Sequence, residues 1–191
     1  IEKRTKVKSR VMSQALIKLI QNSKNIIIMG HKDPDVDCLG AGLGIYRLAN
    51  TLGKETYIVL DNGGKPIKNI LKKIQSNEVY SSVVINKNEA LSKITPDTLL
   101  IVVDTHITNM VEVPELLKET EQIVVIDHHR RSIDSIENTL LTFHEVYASS
   151  ACELVTEILE YANEEVKLEK LEAEALYAGI VVDTKNFTLK S

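Results

Sequence analysis

The sequence predicts an α/β domain on a mostly parallel sheet of about five strands flanked by helices. Three observations lead there. Five short apolar runs are spread along the 191 residues, each of strand rather than helix length. Segments with helical spacing separate them, and such alternation needs crossover connections between parallel neighbours. The runs are also apolar throughout, as expected of strands covered on both faces.

Taken in order, Ile1 to Arg10 is basic and mixed and reads as a linker. Val11 to Gln21 sets Val11, Ala15, Leu16 and Leu19 at helical spacing, so 1–24 is expected as linker and helix ahead of a domain over 25–191. Asn25 to Met29 is the first strand. His31 to Asp37 is a loop, because Pro34 and the repeated Asp oppose a strand. Cys38 to Leu52 is a helix with Asp37 as its N-cap, and Gly40, Gly42 and Gly44 allow close packing on the sheet at some cost in propensity. Strands at Thr56–Leu60, Val79–Ile85, Leu99–Val103 and Ile123–Ile126 alternate with helical segments at Ile67–Ile74, Glu89–Ile94 and Pro114–Lys118. Gly63-Gly64 reads as a turn. Ser149 to Ala162 is a helix opened by the capping box Ser150-x-x-Glu153. Leu168 to about Val182 is a further helix, although Gly179 to Val182 alone has strand composition. The charge-rich stretch Glu160–Glu174 reads as a solvated helical face.

The composition is ordinary for a soluble domain, with 43 % hydrophobic and 26 % charged residues. A formal net charge of −4 gives no electrostatic case for long nucleic acid as a partner. Two cysteines, Cys38 and Cys152, make no disulfide framework and fit a reducing compartment. There is no membrane-helix run and no signal peptide. The chain reads as one module of a longer protein.

The chemistry is concentrated in four segments. His31, Asp35 and Asp37 share one loop after the first apolar run, and Asp104 closes the run Leu99–Val103. Asp127-His128-His129-Arg130 follows Ile123–Ile126, and Asp183 follows Gly179–Val182. In an α/β sheet such strand-end loops are where sites are built. Carboxylate and imidazole ligands suit Mn²⁺, Fe²⁺ or Zn²⁺, and converging Asp-rich loops can hold two ions for phosphoester hydrolysis. Adjacent residues of an extended loop point in different directions, so one imidazole of His128-His129 can bind metal while the other faces substrate. Asp127 can orient an imidazole, and Arg130 offers a guanidinium to phosphate. Each segment also has a plainer reading, as an Asx turn, a helix cap or a polar turn. His106 reads as a surface or supporting group and His144 as no ligand. No glycine-rich nucleotide loop or serine elbow occurs.

At these residues the chain resembles the DHH phosphoesterase superfamily, named for the triplet found here at Asp127–His129. The four motifs occur in order across residues 30–183. Met29–Asp37, Val103–His106, Asp127–Arg130 and Gly179–Phe187 are most similar to the catalytic region of bacterial cyclic-di-AMP phosphodiesterases, membrane-anchored proteins with PAS and degenerate GGDEF domains. The resemblance implies two Mn²⁺ ions, other divalent metals being open. His31, Asp35 and Asp104 would hold one ion, and Asp37, Asp104, His128 and Asp183 the other. His129 would face the substrate phosphate with Asp127 behind it. Family members also carry a C-terminal DHHA1 domain, absent from this chain.

The function expected is metal-dependent opening of a cyclic dinucleotide to its linear form, with two-metal activation of water. A DHH-type pyrophosphatase, a RecJ-like or short-oligonucleotide exonuclease and a non-catalytic cyclic-nucleotide sensor stay open. The expected setting is the cytoplasmic face of a membrane-anchored parent, with a homodimer left open.

Overall fold

Ile26–Met29 forms β1, the strand on which the rest is hung. In the computed structural model, which describes residues 2–61, 64–162 and 166–185, it is preceded by α1 (Glu2–Asn22) and followed by α2 (Val36–Thr51) and β2 (Thr56–Val59). Next come α3 (Lys68–Gln75), β3 (Val84–Ile85), α4 (Lys87–Lys93), β4 (Leu99–Val103) and β5 (Ile123–Asp127). The order ends with β6 (Leu141–His144), α5 (Ala151–Glu160) and α6 (Lys170–Asp183). The strands make one six-stranded sheet in the order β3-β2-β1-β4-β5-β6, parallel throughout.

The two sheet faces bury alternate side chains of the same runs. Ile26, Ile28, Ile101, Val103, Val124 and Ile126 meet the larger core, with α1, α2, α5 and α6. Ile27, Met29, Leu100, Val102 and Val125 meet a smaller one, closed by Ala90 of α4 and Leu116 of the 3₁₀ turn Pro114–Lys118. From β1 the chain winds outward through β2 to β3, then returns to pair β4 on the other side of β1. The winding direction therefore reverses between β1 and β4. In parallel α/β sheets the ligand crevice lies at the carboxyl ends of the strands at such a reversal.

The sheet agrees with the expected count of about five strands, having six. The sixth, β6, buries only Phe143 fully, so no apolar run announces it. Several expectations need correction. The strand expected over Val79–Ile85 shrinks to Val84–Ile85 because Asn77 turns the chain. Its carbonyl accepts from the backbone N–H of Tyr80 at 3.2 Å and of Ser81 at 2.9 Å, and its side chain accepts from Val79 N at 2.9 Å. The N-terminal stretch is helical from Glu2 rather than a linker; Leu16, Ile17 and Ile20 are buried, and Ser13 Oγ donates to Ile158 O of α5 at 2.8 Å. The N-cap of α2 is Asp35, which accepts from Cys38 N at 3.0 Å, and Asp37 lies within the first turn.

Helix–helix contacts differ as well. Of the α2 glycines only Gly42 faces the sheet, where a Cβ would lie 3.7 Å from Ile28 and Ile58. Gly40 faces α6, where a Cβ would sit 2.6 Å from Ala175 O. Gly179–Val182 forms the last turn of α6 before Asp183, with Gly179 buried against Asp37 of α2 and Val182 exposed. The capping box at α5 is half formed. Ser150 Oγ accepts from Glu153 N at 3.0 Å, but the Glu153 carboxylate accepts instead from the N and Oγ of Ser149, each at 2.6 Å. Within the charge-rich stretch Glu172 is fully buried, not solvated. Arg47 Nε donates to both its oxygens at 3.0 and 2.8 Å, and Tyr80 Oη donates to it at 2.9 Å. Gly63 and Asn186-Phe187 lie outside the described residues. Among the described residues no helix is long and apolar enough to cross a membrane.

Candidate metal centre

The candidate ligands come from four places on the carboxyl edge. Gly30 follows β1, and a Cβ there would lie 1.8 Å from Cys38 Sγ; His31 follows and bridges to Val111. Asp35 caps α2 and Asp37 sits in its first turn. Asp104 is the residue after β4, with a left-handed φ of 61° that short Asp and Asn side chains tolerate best among non-glycine residues. Asp127 ends β5, placing His128 and His129 just beyond the sheet, and Asp183 is the last residue of α6.

These residues meet in two overlapping sets. His31 Nε2 lies 3.8 Å from Asp35 Oδ1 and 3.4 Å from Asp104 Oδ2. His128 Nε2 lies 3.4 Å from Asp104 Oδ1, 3.4 Å from Asp183 Oδ2 and 3.7 Å from Asp37 Oδ2. Asp104 thus belongs to both sets, one oxygen to each. Asp37 is fixed from behind by the start of α5, accepting from Ala151 N at 2.7 Å and Cys152 N at 2.9 Å. A cleft-facing carboxylate therefore sits on the positive end of a helix.

The donor set fits divalent cations. Buried polar atoms are almost always hydrogen-bonded, yet Asp104 Oδ1 and His128 Nε2 are buried without a hydrogen-bond partner among the described residues. Both point into the same set. Separations of 3.4–3.8 Å are too long for good hydrogen bonds, but suit atoms that share an ion at about 2.0–2.2 Å from each. Groups His31–Cys38–Asp104 and Asp37–His128–Asp183 each place three candidate ligand atoms within 4.8 Å of one another. Burial pushes the Cys38 thiol well above its ordinary value, which disfavours the thiolate that a metal needs.

Electrostatics agree. Burial alone would lower His31 and His128, but facing carboxylates overcome it and raise both to about 10: Asp104 and Asp35 for His31, Asp104 and Asp183 for His128. Asp37 is raised to about 7 by burial and by the Asp104 charge. In the cation-free chain, protons on these imidazoles supply the positive charge that the carboxylates demand.

Beside the ligands lies a second layer. Asp127, fully buried, accepts on Oδ1 from His128 N at 2.9 Å and His129 Nδ1 at 2.8 Å. Burial opposes its charge, but hydrogen bonds from His129 and His106 override that and hold the carboxyl well below the usual range. The hydrogen bond to Asp127 raises His129, whose side chain is 54 % exposed. Arg130 is exposed at the rim. The sequence reading undervalued His106, which is buried and bonded to Asp127 Oδ2. Its position two residues after Asp104 was the available signal.

A parallel α/β fold whose reversal point carries overlapping carboxylate–imidazole sets defines a class of metal-centred domains. This chain belongs to the DHH family, since the family profile "DHH family, N-terminal domain" matches residues 25–180. It is 45 % identical over 193 residues to "Cyclic-di-AMP phosphodiesterase GdpP" of Bacillus subtilis (strain 168), covering 100 % of this chain and 29 % of that protein. It is 48 % identical over 193 residues to the protein of the same name from Geobacillus thermodenitrificans (strain NG80-2), again covering 100 % of this chain and 29 % of that protein. The chain therefore spans less than a third of the length of these curated relatives. A crystal structure of an exopolyphosphatase-related protein from Bacteroides fragilis matches with a TM-score of 0.76 over 93 % of this chain and 51 % of that one. At 22 % identity it bears on the fold alone.

Proposed function

We propose that this domain hydrolyses a phosphodiester bond of cyclic-di-AMP, opening the ring to the linear dinucleotide. The names of the relatives support the substrate, and the overlap of the two ligand sets at Asp104 carries the hydrolytic reading. His31, Asp35 and Asp104 would hold one divalent cation, and Asp37, Asp104, His128 and Asp183 a second, with Mn²⁺ the first choice. When bound, the cations supply a water of lowered pKa and positive charge facing the phosphoryl oxygens. The chain does the rest. Asp127 holds His129 by Nδ1 and favours its protonated ring, in which Nε2–H also donates and can meet a phosphoryl oxygen. Arg130 adds a guanidinium at the rim, matched to phosphate. A new bond from phosphorus to the water oxygen replaces its bond to one 3′-oxygen, which leaves and takes up a proton. The parent would add a membrane anchor and a C-terminal DHHA1 domain, with this domain on the cytoplasmic face and a homodimer open to test.

The test compares turnover of cyclic-di-AMP, pyrophosphate and a short RNA by the full-length protein in Mn²⁺. Preference for cyclic-di-AMP, abolished by chelation, is the expected result. Faster cleavage of either other substrate would replace the substrate assignment, and binding of cyclic-di-AMP without turnover would make the domain a sensor.

A further inference from the structure

We propose that His106 is a positioning residue for His129, acting through Asp127. The inference rests on the hydrolytic reading above and adds a residue that belongs to neither ligand set. His106 is 4 % exposed, and each ring nitrogen has a defined partner. Nε2 accepts from the backbone N–H of Ser132 at 2.9 Å. An amide N–H can only donate, so Nε2 carries no proton and the proton of the neutral ring is on Nδ1. That Nδ1–H donates to Asp127 Oδ2.

Asp127 is thereby held on both oxygens. Oδ1 accepts from His128 N at 2.9 Å, His129 N at 3.3 Å and His129 Nδ1 at 2.8 Å. Those bonds anchor one oxygen, and the carboxylate plane is set by what holds the other. His106 supplies that second hold, and so directs Oδ1 at His129 Nδ1. A second imidazole braces the first: the His144 ring lies 4.7 Å from that of His106 at 37°. His144 Nε2 also hydrogen-bonds the carbonyl of His129. His129 is thus fixed at its ring through His106 and Asp127, and at its backbone through His144. With the Nδ1 proton committed to Asp127, Nε2 is the nitrogen presented to substrate. Outer partners of this kind fix an imidazole's tautomer and orientation, and misplacement of a reacting group by about 1 Å can cost on the order of a hundredfold in rate.

The test uses three variants of the full-length protein. His106→Asn keeps an N–H donor at the Nδ1 position, His106→Gln moves it away, and His106→Leu removes it. We expect His106→Asn to stay close to wild type. The other two should lose roughly tenfold to a hundredfold in kcat, with Mn²⁺ stoichiometry little changed, because the ions are held elsewhere. Equal losses in Asn and Leu would assign the effect to packing, wild-type turnover in Leu would remove the role, and loss of Mn²⁺ would place His106 in the centre itself; each overturns the proposal. If Leu does not fold, Asn against Gln decides, with equality or the reverse order overturning it. Wild-type protein inactive on every substrate would end the hydrolytic reading alone. The ¹⁵N-histidine spectrum then decides. A proton kept on His129 Nδ1 in wild type and Asn but released in Leu supports positioning, and an unchanged spectrum in Leu overturns it.

Discussion

Asp104 offers its two oxygens to two different imidazoles. Oδ2 lies 3.4 Å from His31 Nε2 and Oδ1 lies 3.4 Å from His128 Nε2. Its backbone is held in the left-handed region at φ 61°, with its N–H donating to Ile126 O of β5 at 2.9 Å. The turn off β4 thus aims one carboxylate between two loops that belong to different strands.

Asp104→Asn should therefore weaken both cation sites at once. Asn tolerates the left-handed backbone, so the fold should survive while one ligand charge disappears from each set. Calorimetric titration with Mn²⁺ should give two bound ions in the wild type and weakened binding at both in the variant. Loss of a single ion would show that Asp104 serves only one set.

The pH dependence follows from the raised imidazoles. His31 and His128 sit at about 10 in the folded chain against an ordinary 6.5. A raised folded value means that the fold binds the proton more tightly, so the stabilisation is complete below about 6.5 and is lost as pH climbs through about 10. Asp37, raised to about 7, acts in the same direction and has lost its contribution above that. The chelated chain should melt at falling temperature between pH 6.5 and 10. Divalent cations displace the same protons, so their binding should tighten over that window. A melting temperature in chelator that rises over the window would contradict the assignment.

Gly179→Ala tests how α6 is seated. The added Cβ would lie 2.4 Å from Cys152 Sγ and 3.0 Å from both the Cα and Oδ1 of Asp37. Overpacking of this kind costs about 1–3 kcal/mol. Because the strained neighbour is a candidate ligand, urea unfolding and Mn²⁺ affinity should both suffer. An unchanged affinity would mean that α6 can shift without disturbing Asp37.

Glu172→Ala should be strongly destabilising. It strips the partner from Arg47, whose side chain is only 14 % exposed, and leaves a largely buried charge, a change that costs about 3–5 kcal/mol. Replacing Arg47 and Glu172 together by Leu should recover most of that. Urea midpoints of the single and double variants measure it. A loss below about 1 kcal/mol in the single variant would class the pair with surface ion pairs.

How much of this could be read in advance depends on range. Apolar runs locate β1, β2, β4 and β5 because a strand buried on both faces shows it in its own residues. Val79 to Val83 look like strand until Asn77 turns the chain there, and the Tyr80 hydroxyl then meets Glu172, 92 residues away. Phe143 is too isolated to mark β6. Asp35, Asp37, Asp104, His128 and Asp183 were recognisable as candidates because each stands at an element's end. Their division into two sets came with the resemblance, not from spacing.

By itself the sequence determined the class of fold, the loops that carry chemistry and the residue types available there, since periodicity and strand-end polarity are local properties. Only the tertiary structure decided that winding reverses between β1 and β4, so that His31 and Asp104 face each other across one crevice. It also decided that α6 lies close enough on α2 for Asp183 to reach His128, and that His106 turns inward onto Asp127. Those relations come from packing between segments far apart in the chain. Strand order and close approach follow from which surfaces exclude water together, and no single segment encodes that.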